Sequence, residues 1–237
     1  MNIKKYIFTI SLFISLAAYS QSRDSELLGK ALEYYGGQKY HEALLVFEQL
    51  RKTYKLNPRF LAYTGVCYFK EQRYEEASDI LDKVMPELTP FPPHERALYY
   101  FANAESHFFS ATYMEEKENG RENAMKEYDI AATSYEKALE VCYAKEKGDI
   151  YYRLGFCHLL NIRLTEATDY FTKAKSWYAR YGSMDRETSF RKKQTENMLR
   201  TLLVTHGTSR MDERNKETWQ DKNENADNKG GNIQKNK

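Results

Sequence analysis

The chain has 237 residues, with 36 lysines and arginines against 34 aspartates and glutamates, and three cysteines. Lys4 and Lys5 lie in the first twenty residues, so the rest of the chain carries equal numbers of both charges. This balance excludes nucleic-acid binding through a basic field that neutralises phosphates. The length that remains fits a single domain.

The first twenty residues predict a secretory signal peptide. Lys4 and Lys5 precede an apolar run from Tyr6 to Ala18, and Ala18 and Ser20 place small residues where a signal peptidase cuts. We expect cleavage near Ser20 and an exported bacterial protein, periplasmic or secreted, with no membrane span afterwards. Because the run is shorter than the ~20 residues that span a bilayer, an uncleaved membrane anchor is the alternative.

Three later segments share one internal spacing. In each, a small residue stands 12 positions before an alanine, and a large apolar residue follows that alanine by four. The three sets are Ala31, Ala43 and Phe47; Gly65, Ala77 and Leu81; and Gly155, Ala167 and Phe171. Small residues where helices cross, repeated with a fixed period, predict a stacked helical solenoid.

This pattern resembles the tetratricopeptide repeat, in which Leu-Gly and Tyr of one helix face Ala and Phe of the next. The segment from Gly148 to Lys175 matches best, although His158 stands where tyrosine is usual. The resemblance implies an all-α, right-handed helical-hairpin solenoid of about four repeats over residues 21–204. It also implies a binding function with no cofactor.

The third repeat departs from the spacing, since Ala104 and Ala131 are 27 residues apart. We expect both of its helices to be longer by about two turns and to project beyond the neighbouring hairpins. A flexible inserted loop is the alternative. The residues expected on the projecting part are Tyr113, Met114, Met125 and Tyr128. They would either dock a partner or pack against one another.

A terminal helix and a polar tail are predicted after the repeats. Asp185 is a good N-cap for a helix over Thr188 to Leu203 that would shield the last hairpin. Residues 205–237 are rich in Asn, Lys, Glu and Asp, with Trp219 among few large apolar side chains. This composition predicts a disordered tail.

The resemblance also implies which side chains line the inner groove of the array, because first helices form that face. The predicted groove residues are Leu28, Leu32, Tyr35, Arg59, Ala62, Val66, Phe69, Lys70, Phe101, Glu105, Phe108, Tyr152, Phe156 and Leu159. The set is mainly apolar, which favours recognition of a peptide or a partner helix. A groove filled by the chain itself or by a second copy is the alternative.

No catalytic or metal-binding motif is recognised. His41-Glu42 and His94-Glu95 begin like the zinc motif HExxH, but Leu45 and Leu98 replace the second histidine. Cys67 and Cys157 hold the same position in repeats that are not adjacent. They are expected about 20 Å apart, from the usual spacing of packed helices, and therefore unpaired.

The predicted function is a noncatalytic scaffold or adaptor in the cell envelope that binds a protein or peptide through the groove. The alternative is a structural subunit that self-associates as a homo-oligomer. A binder of a small molecule or a glycan would need polar groups converging in the groove, and the sequence supplies few.

Overall fold

The computed structural model describes residues 24–117, 120–143, 147–182 and 185–205, which form nine α-helices and no strand. The helices are α1 (24–36), α2 (Tyr40–Arg51), α3 (Pro58–Lys70), α4 (Tyr74–Val84), α5 (Pro93–Glu115), α6 (Arg121–Val141), α7 (Lys147–Leu160), α8 (Leu164–Tyr181) and α9 (186–205), with a 3-10 turn at Met85–Glu87. The predicted signal peptide and all but the first residue of the predicted tail lie outside the described residues.

Consecutive helices pair as four hairpins, and α9 packs on the last one. The apolar residues form a series of clusters along the chain rather than one central core. One cluster joins α1 to α4, the next joins α3 to α5, the third joins α5 to α7, and the last joins α7 to α9. Each hairpin thus buries its apolar face on its neighbours, which confirms the helical-hairpin solenoid.

The small residues of the repeat spacing lie where the helices of a hairpin touch. A Cβ atom added to Gly65 would lie 2.6 Å from Leu81 Cγ, and one added to Gly155 would lie 2.6 Å from Phe171 Cδ1. Ala31, which holds the equivalent position in the first hairpin, is fully buried. The large apolar residue four positions after each alanine therefore fills the space that the small residue leaves.

The turns of hairpins one, two and four have the same geometry. Gln38, Gln72 and Ile162 adopt φ values of 57°, 59° and 60°. In the second hairpin the amide of Arg73 donates to the carbonyl of Tyr68, and the amide of Gln72 donates to that of Phe69. This is the Schellman arrangement, which satisfies the last carbonyls of a helix and needs one residue in the left-handed region.

The third hairpin is lengthened as predicted. α5 has 23 residues and α6 has 21, against 13 and 11 for α3 and α4. Only residues 116–120 separate the two helices, so the extra residues are helical and the inserted-loop alternative is wrong.

The end of the array also agrees with the prediction. The amide of Thr188 donates to Asp185 Oδ1 at 2.8 Å, which is an N-cap bond at the start of α9. Leu199 and Leu202 of α9 pack into the cluster of α7 and α8. Among the described residues, no helix has the length and apolar character that crossing a membrane requires.

Candidate partner-binding surface

Several predicted groove residues lie in the core instead of lining an open groove. Val66 is 1% exposed, Glu105 is 5%, Phe108 is 6% and Tyr152 is 8%, and Ala62 is fully buried. These assignments are corrected, because α5 packs over Ala62 and Val66, α7 packs over Glu105 and Phe108, and α9 packs against Tyr152.

The contacts show what covers these side chains. Val66 shares a cluster with Tyr99 of α5. Glu105 pairs with Arg153 Nε at 2.7 Å, and the Arg153 guanidinium carbon lies 4.9 Å from the centre of the Phe108 ring. α5 therefore seals the inner face of α3, and α7 seals part of α5.

The other predicted groove residues keep some contact with solvent. Leu32 and Lys70 are exposed. The half-buried members are Leu28, Tyr35, Arg59, Phe69, Phe101, Phe156 and Leu159. Two of these have mainly internal contacts: Phe156 packs edge to face on Phe171, with ring centres 5.2 Å apart, and Phe101 packs similarly on Tyr135 at 6.0 Å.

A row of rings crosses the first three hairpins where their surfaces stay accessible. We call it the aromatic series, and its members are Tyr35, Tyr40, Tyr63, Phe69, Tyr74, Phe109 and Tyr113. Tyr113 is exposed and the other six are half buried. Tyr35 stacks on Tyr63 with ring centres 4.4 Å apart, and Tyr74 stacks on Phe109 at 4.8 Å. The rings therefore support one another across hairpin boundaries.

Lys70 joins the two halves of the aromatic series. Its Nζ lies 5.9 Å from the centre of the Tyr40 ring and 5.2 Å from that of Phe69, which is cation–π distance. Burial raises the pKa of Tyr35, Tyr40 and Tyr74, so their hydroxyls remain protonated at neutral pH. The rings add no negative charge, and Lys70 places a cation between them.

The four residues predicted on the projecting hairpin have different environments. Tyr113 is 55% exposed, while Met114 and Met125 are half buried. Tyr128 is fully buried and its hydroxyl donates to Glu115 Oε2 at 3.1 Å. For Tyr128 the structure supports the alternative of mutual packing, because α5 and α6 pack on each other at this level.

The sequence reasoning missed Tyr40, Tyr63, Tyr74 and Phe109. A signal for two of them was present, since Tyr40 and Tyr74 are 34 residues apart and each stands three residues before the repeat alanine. Tyr63 and Phe109 had no such signal, because their positions relative to each neighbouring hairpin depend on stacking.

Cys67 and Cys157 are not joined to each other, as predicted. Cys67 and Cys157 are buried and form no disulfide, and Cys142 is half buried. Burial raises the pKa of Cys67 to about 12, so its thiol stays protonated. Among the described residues, no group of three or more His, Cys, Asp or Glu side chains is placed to hold a metal ion.

Comparison with known proteins agrees with this architecture. A family model described as tetratricopeptide repeat matches residues 28–90. No curated protein matches the chain.

Similar solved structures include two crystal forms of MamA AMB-1, each 15% identical. Their TM-scores are 0.51 and 0.50, and they cover 78% and 77% of this chain and 92% and 98% of their own. A MamA structure from Desulfovibrio magneticus RS-1 is 14% identical with a TM-score of 0.48, covering 78% of this chain and 96% of that one. At such identity the likeness to MamA AMB-1 shows a shared fold alone. Residues 28–90 match the tetratricopeptide-repeat family, and the repeat spacing and the stacked hairpins continue the same architecture through the fourth hairpin.

Proposed function

We propose that this chain is a noncatalytic protein-binding scaffold of the cell envelope, which holds a peptide or a partner helix against the aromatic series. The observation that carries the proposal is the continuity of that series, with seven accessible or half-buried rings contributed by three consecutive hairpins. Single exposed apolar side chains are ordinary, whereas a contiguous group of them marks an interaction surface.

The rings suit this task because they are already held in place. Tyr74 stacks on both Phe109 and Tyr113, with ring centres 4.8 Å and 6.3 Å away. Aromatic side chains offer a large contact area and have few rotatable bonds, so little conformational entropy is lost on binding. Such preorganisation favours affinity without any movement of the backbone.

Lys70 adds a chemical preference to the surface. Among the described residues, no carboxylate lies within ion-pair distance of its ammonium group, whereas Arg59 pairs with Glu95 at 3.1 Å. A partner segment with a carboxylate between apolar side chains would match one cation flanked by rings. The envelope location rests on the signal-peptide pattern of residues 1–20, which lie outside the described residues.

A structural subunit that self-associates is the second candidate. Exposed leucines on the first hairpin favour it, since Leu45 is 60% exposed and Leu32 is 36% exposed. Leu45 does not belong to the aromatic series, so this surface could serve a different contact.

The test is crosslinking and affinity capture of the chain in its native envelope, with light scattering on the purified protein. Lys70→Glu should abolish capture of a specific partner by reversing the charge beside the rings. Lys39→Glu is the matched control, because Lys39 also lies over a tyrosine ring, that of Tyr34 at 6.0 Å, outside the series. Equal capture by both variants would refute the proposed surface. Self-crosslinks alone, with a dimer or larger mass in solution, would favour the structural subunit.

A further inference from the structure

A pocket of about 380 Å³ lies between α5 and α7, the first helices of the third and fourth hairpins. Its apolar wall includes Ala97, Leu98 and Phe101 of α5 and Ile150 of α7, and His94 and Asp149 add polar atoms. Leu98 is 38% exposed, so the pocket opens to solvent. A mainly apolar cavity of this size with a few polar groups is the usual form of a binding site.

The pocket lies against the first part of α5. Asn103 of α5 donates to Asp82 Oδ1 at 2.8 Å, near the end of α4. Before Asn103 in α5, Tyr99 shares a cluster with Leu88, which follows α4, and Glu95 pairs with Arg59 at the start of α3. This part of α5 is therefore held against the second hairpin, while its residues Ala97, Leu98 and Phe101 line the pocket.

We propose that Trp219, in the segment 206–237 that follows α9, occupies this pocket within the same chain. Trp219 is the one tryptophan, tyrosine or phenylalanine in that segment. Docking would make the C-terminal segment an internal ligand of the first-helix face.

The position of α9 makes the contact reachable. Arg191 of α9 pairs with Asp149 of the pocket wall at 2.5 Å. Because a helix rises 1.5 Å per residue, Thr205 at the end of α9 lies about 21 Å along the axis from Arg191. The 14 residues from 206 to 219 can span up to about 46 Å. The reach of about 46 Å exceeds the distance of about 21 Å, so the indole can return to the pocket.

The chemistry of the pocket suits an indole. Its ring would lie against Leu98, Phe101 and Ile150, and its N–H needs one acceptor. The Asp149 carboxylate accepts from Tyr178 at 2.8 Å and pairs with Arg191, and it retains capacity for a further donor.

The tether helps the contact to form. At an effective concentration on the order of 1 mM for two sites in one chain, a contact with a millimolar dissociation constant fills half of the pockets. Charges next to Trp219 are balanced, with Lys216 and Lys222 against Glu217 and Asp221, so they do not oppose the approach.

Docking itself needs no external partner, but its consequence rests on the proposed function. A segment held between α5 and α7 would compete with any ligand that extends from the aromatic series along the same face. The chain would then limit its own binding until the segment is displaced.

The experiment uses the two tryptophans as reporters. The full chain labelled with 5-fluorotryptophan gives two fluorine resonances, from Trp177 and Trp219, and Trp219→Phe assigns them. A soluble nitroxide broadens exposed fluorines more than covered ones. A synthetic peptide of residues 210–228 gives the value for a free indole.

We expect the Trp219 resonance to be broadened less than that of the peptide, and Leu98→Glu to raise the broadening to the peptide value. Leu45→Glu, the same change at an exposed leucine of the first hairpin, should have no effect. Excess peptide added to the unaltered chain should also displace Trp219, which provides a test if Leu98→Glu unfolds.

Full broadening in the unaltered chain, or no displacement by either route, would overturn the proposal. So would protection that disappears on dilution, since the contact would then join two copies. None of these results bears on partner capture through Lys70, so failure here and failure of the proposed function are distinguishable.

Discussion

The third and fourth hairpins each bury a histidine in their first helix, and the two imidazole rings have opposite electrostatic environments. His107 in α5 lies 2.6 Å from Glu127 Oε2 through Nδ1 and 3.0 Å from Asp82 Oδ1 through Nε2. His158 in α7 stacks on Tyr170 at 5.1 Å, and neither of its ring nitrogens has a hydrogen-bond partner in the described parts of the chain.

The surroundings set the charge of each ring. Burial alone would lower the pKa of His107, but the hydrogen bonds and charges of Asp82 and Glu127 outweigh it and raise the pKa to about 9. Burial lowers the pKa of His158 despite Glu136 and Glu166 nearby. The long hairpin is therefore held to α4 by a charged imidazolium, and the fourth hairpin contains a neutral ring.

The largest expected effect is the loss of the charge on His107. The pKa of His107 rises from 6.5 to about 9 on folding. Its contribution to the free energy of unfolding is therefore complete below pH 6.5 and is lost as pH rises through 9. We expect the free energy of unfolding of the native chain to fall by about 3 kcal/mol over that range. His107→Gln should lose a similar amount at pH 6 and remove this slope, measured by urea unfolding at several pH values.

His41→Gln is the control for this change. His41 also bonds to a glutamate, Glu71 at 3.0 Å, but its side chain is 66% exposed. Exposed pairs of this kind contribute little, so we expect a change within about 0.5 kcal/mol. A pH slope that persists in His107→Gln would show that His107 does not carry it.

The second expected effect tests the helix crossing of the fourth hairpin. Gly155→Ala should destabilise the protein by about 1–2 kcal/mol, because the new Cβ meets the buried Phe171 ring and outweighs the better helix propensity of alanine. Gly29→Ala, in α1 with nothing within 4 Å of its added Cβ, should stabilise by about 0.5–1 kcal/mol. Equal thermal stability of the two variants would contradict this account.

The third effect concerns the turn of the fourth hairpin. Ile162 has φ 60° and is 68% exposed, so a β-branched residue takes a strained conformation with little packing to offset it. Ile162→Gly should raise the free energy of unfolding by about 1 kcal/mol. Gln72→Gly, at the same turn position without a β-branch, should give a smaller gain. A loss of stability in Ile162→Gly would mean that the isoleucine makes a stabilising contact.

The smallest effect tests the neutral histidine. The pKa of His158 is lower in the folded chain than in the unfolded chain. Below pH 6.5 the unfolded chain therefore binds more protons than the folded chain, and the free energy of unfolding falls as pH falls. His158→Phe removes two unpartnered buried nitrogens and should stabilise by up to about 1 kcal/mol. The gain should be larger at pH 5.5 than at pH 7.5. A pH-independent gain would mean that the ring titrates normally in the fold.

Local spacing was sufficient to predict most of the helices and their crossings. Gly65 and Gly155 contact the apolar residues that the pattern assigned to them, and Asp185 caps the helix placed after it. These predictions succeeded because a hairpin joins residues a few turns apart, where helical periodicity fixes which side chains meet.

The surface was predicted less well. Val66 and Phe108 were assigned to an open groove, but Tyr99 and Arg153 cover them. Their burial depends on the axial offset of α5 and α7 from the preceding hairpin. The residue spacing within one repeat does not determine that offset. The partners of His107 likewise come from α4 and α6, 25 and 20 residues away.

The sequence by itself determined the all-α hairpins, their small crossing residues and the length of the third hairpin, because each depends on contacts within one repeat. Only the tertiary structure decided which faces stay open, which rings form the aromatic series and which histidine is positively charged. Those properties arise between repeats, where the offset of whole helices sets the distance from Lys70 to its rings and from His107 to its carboxylates.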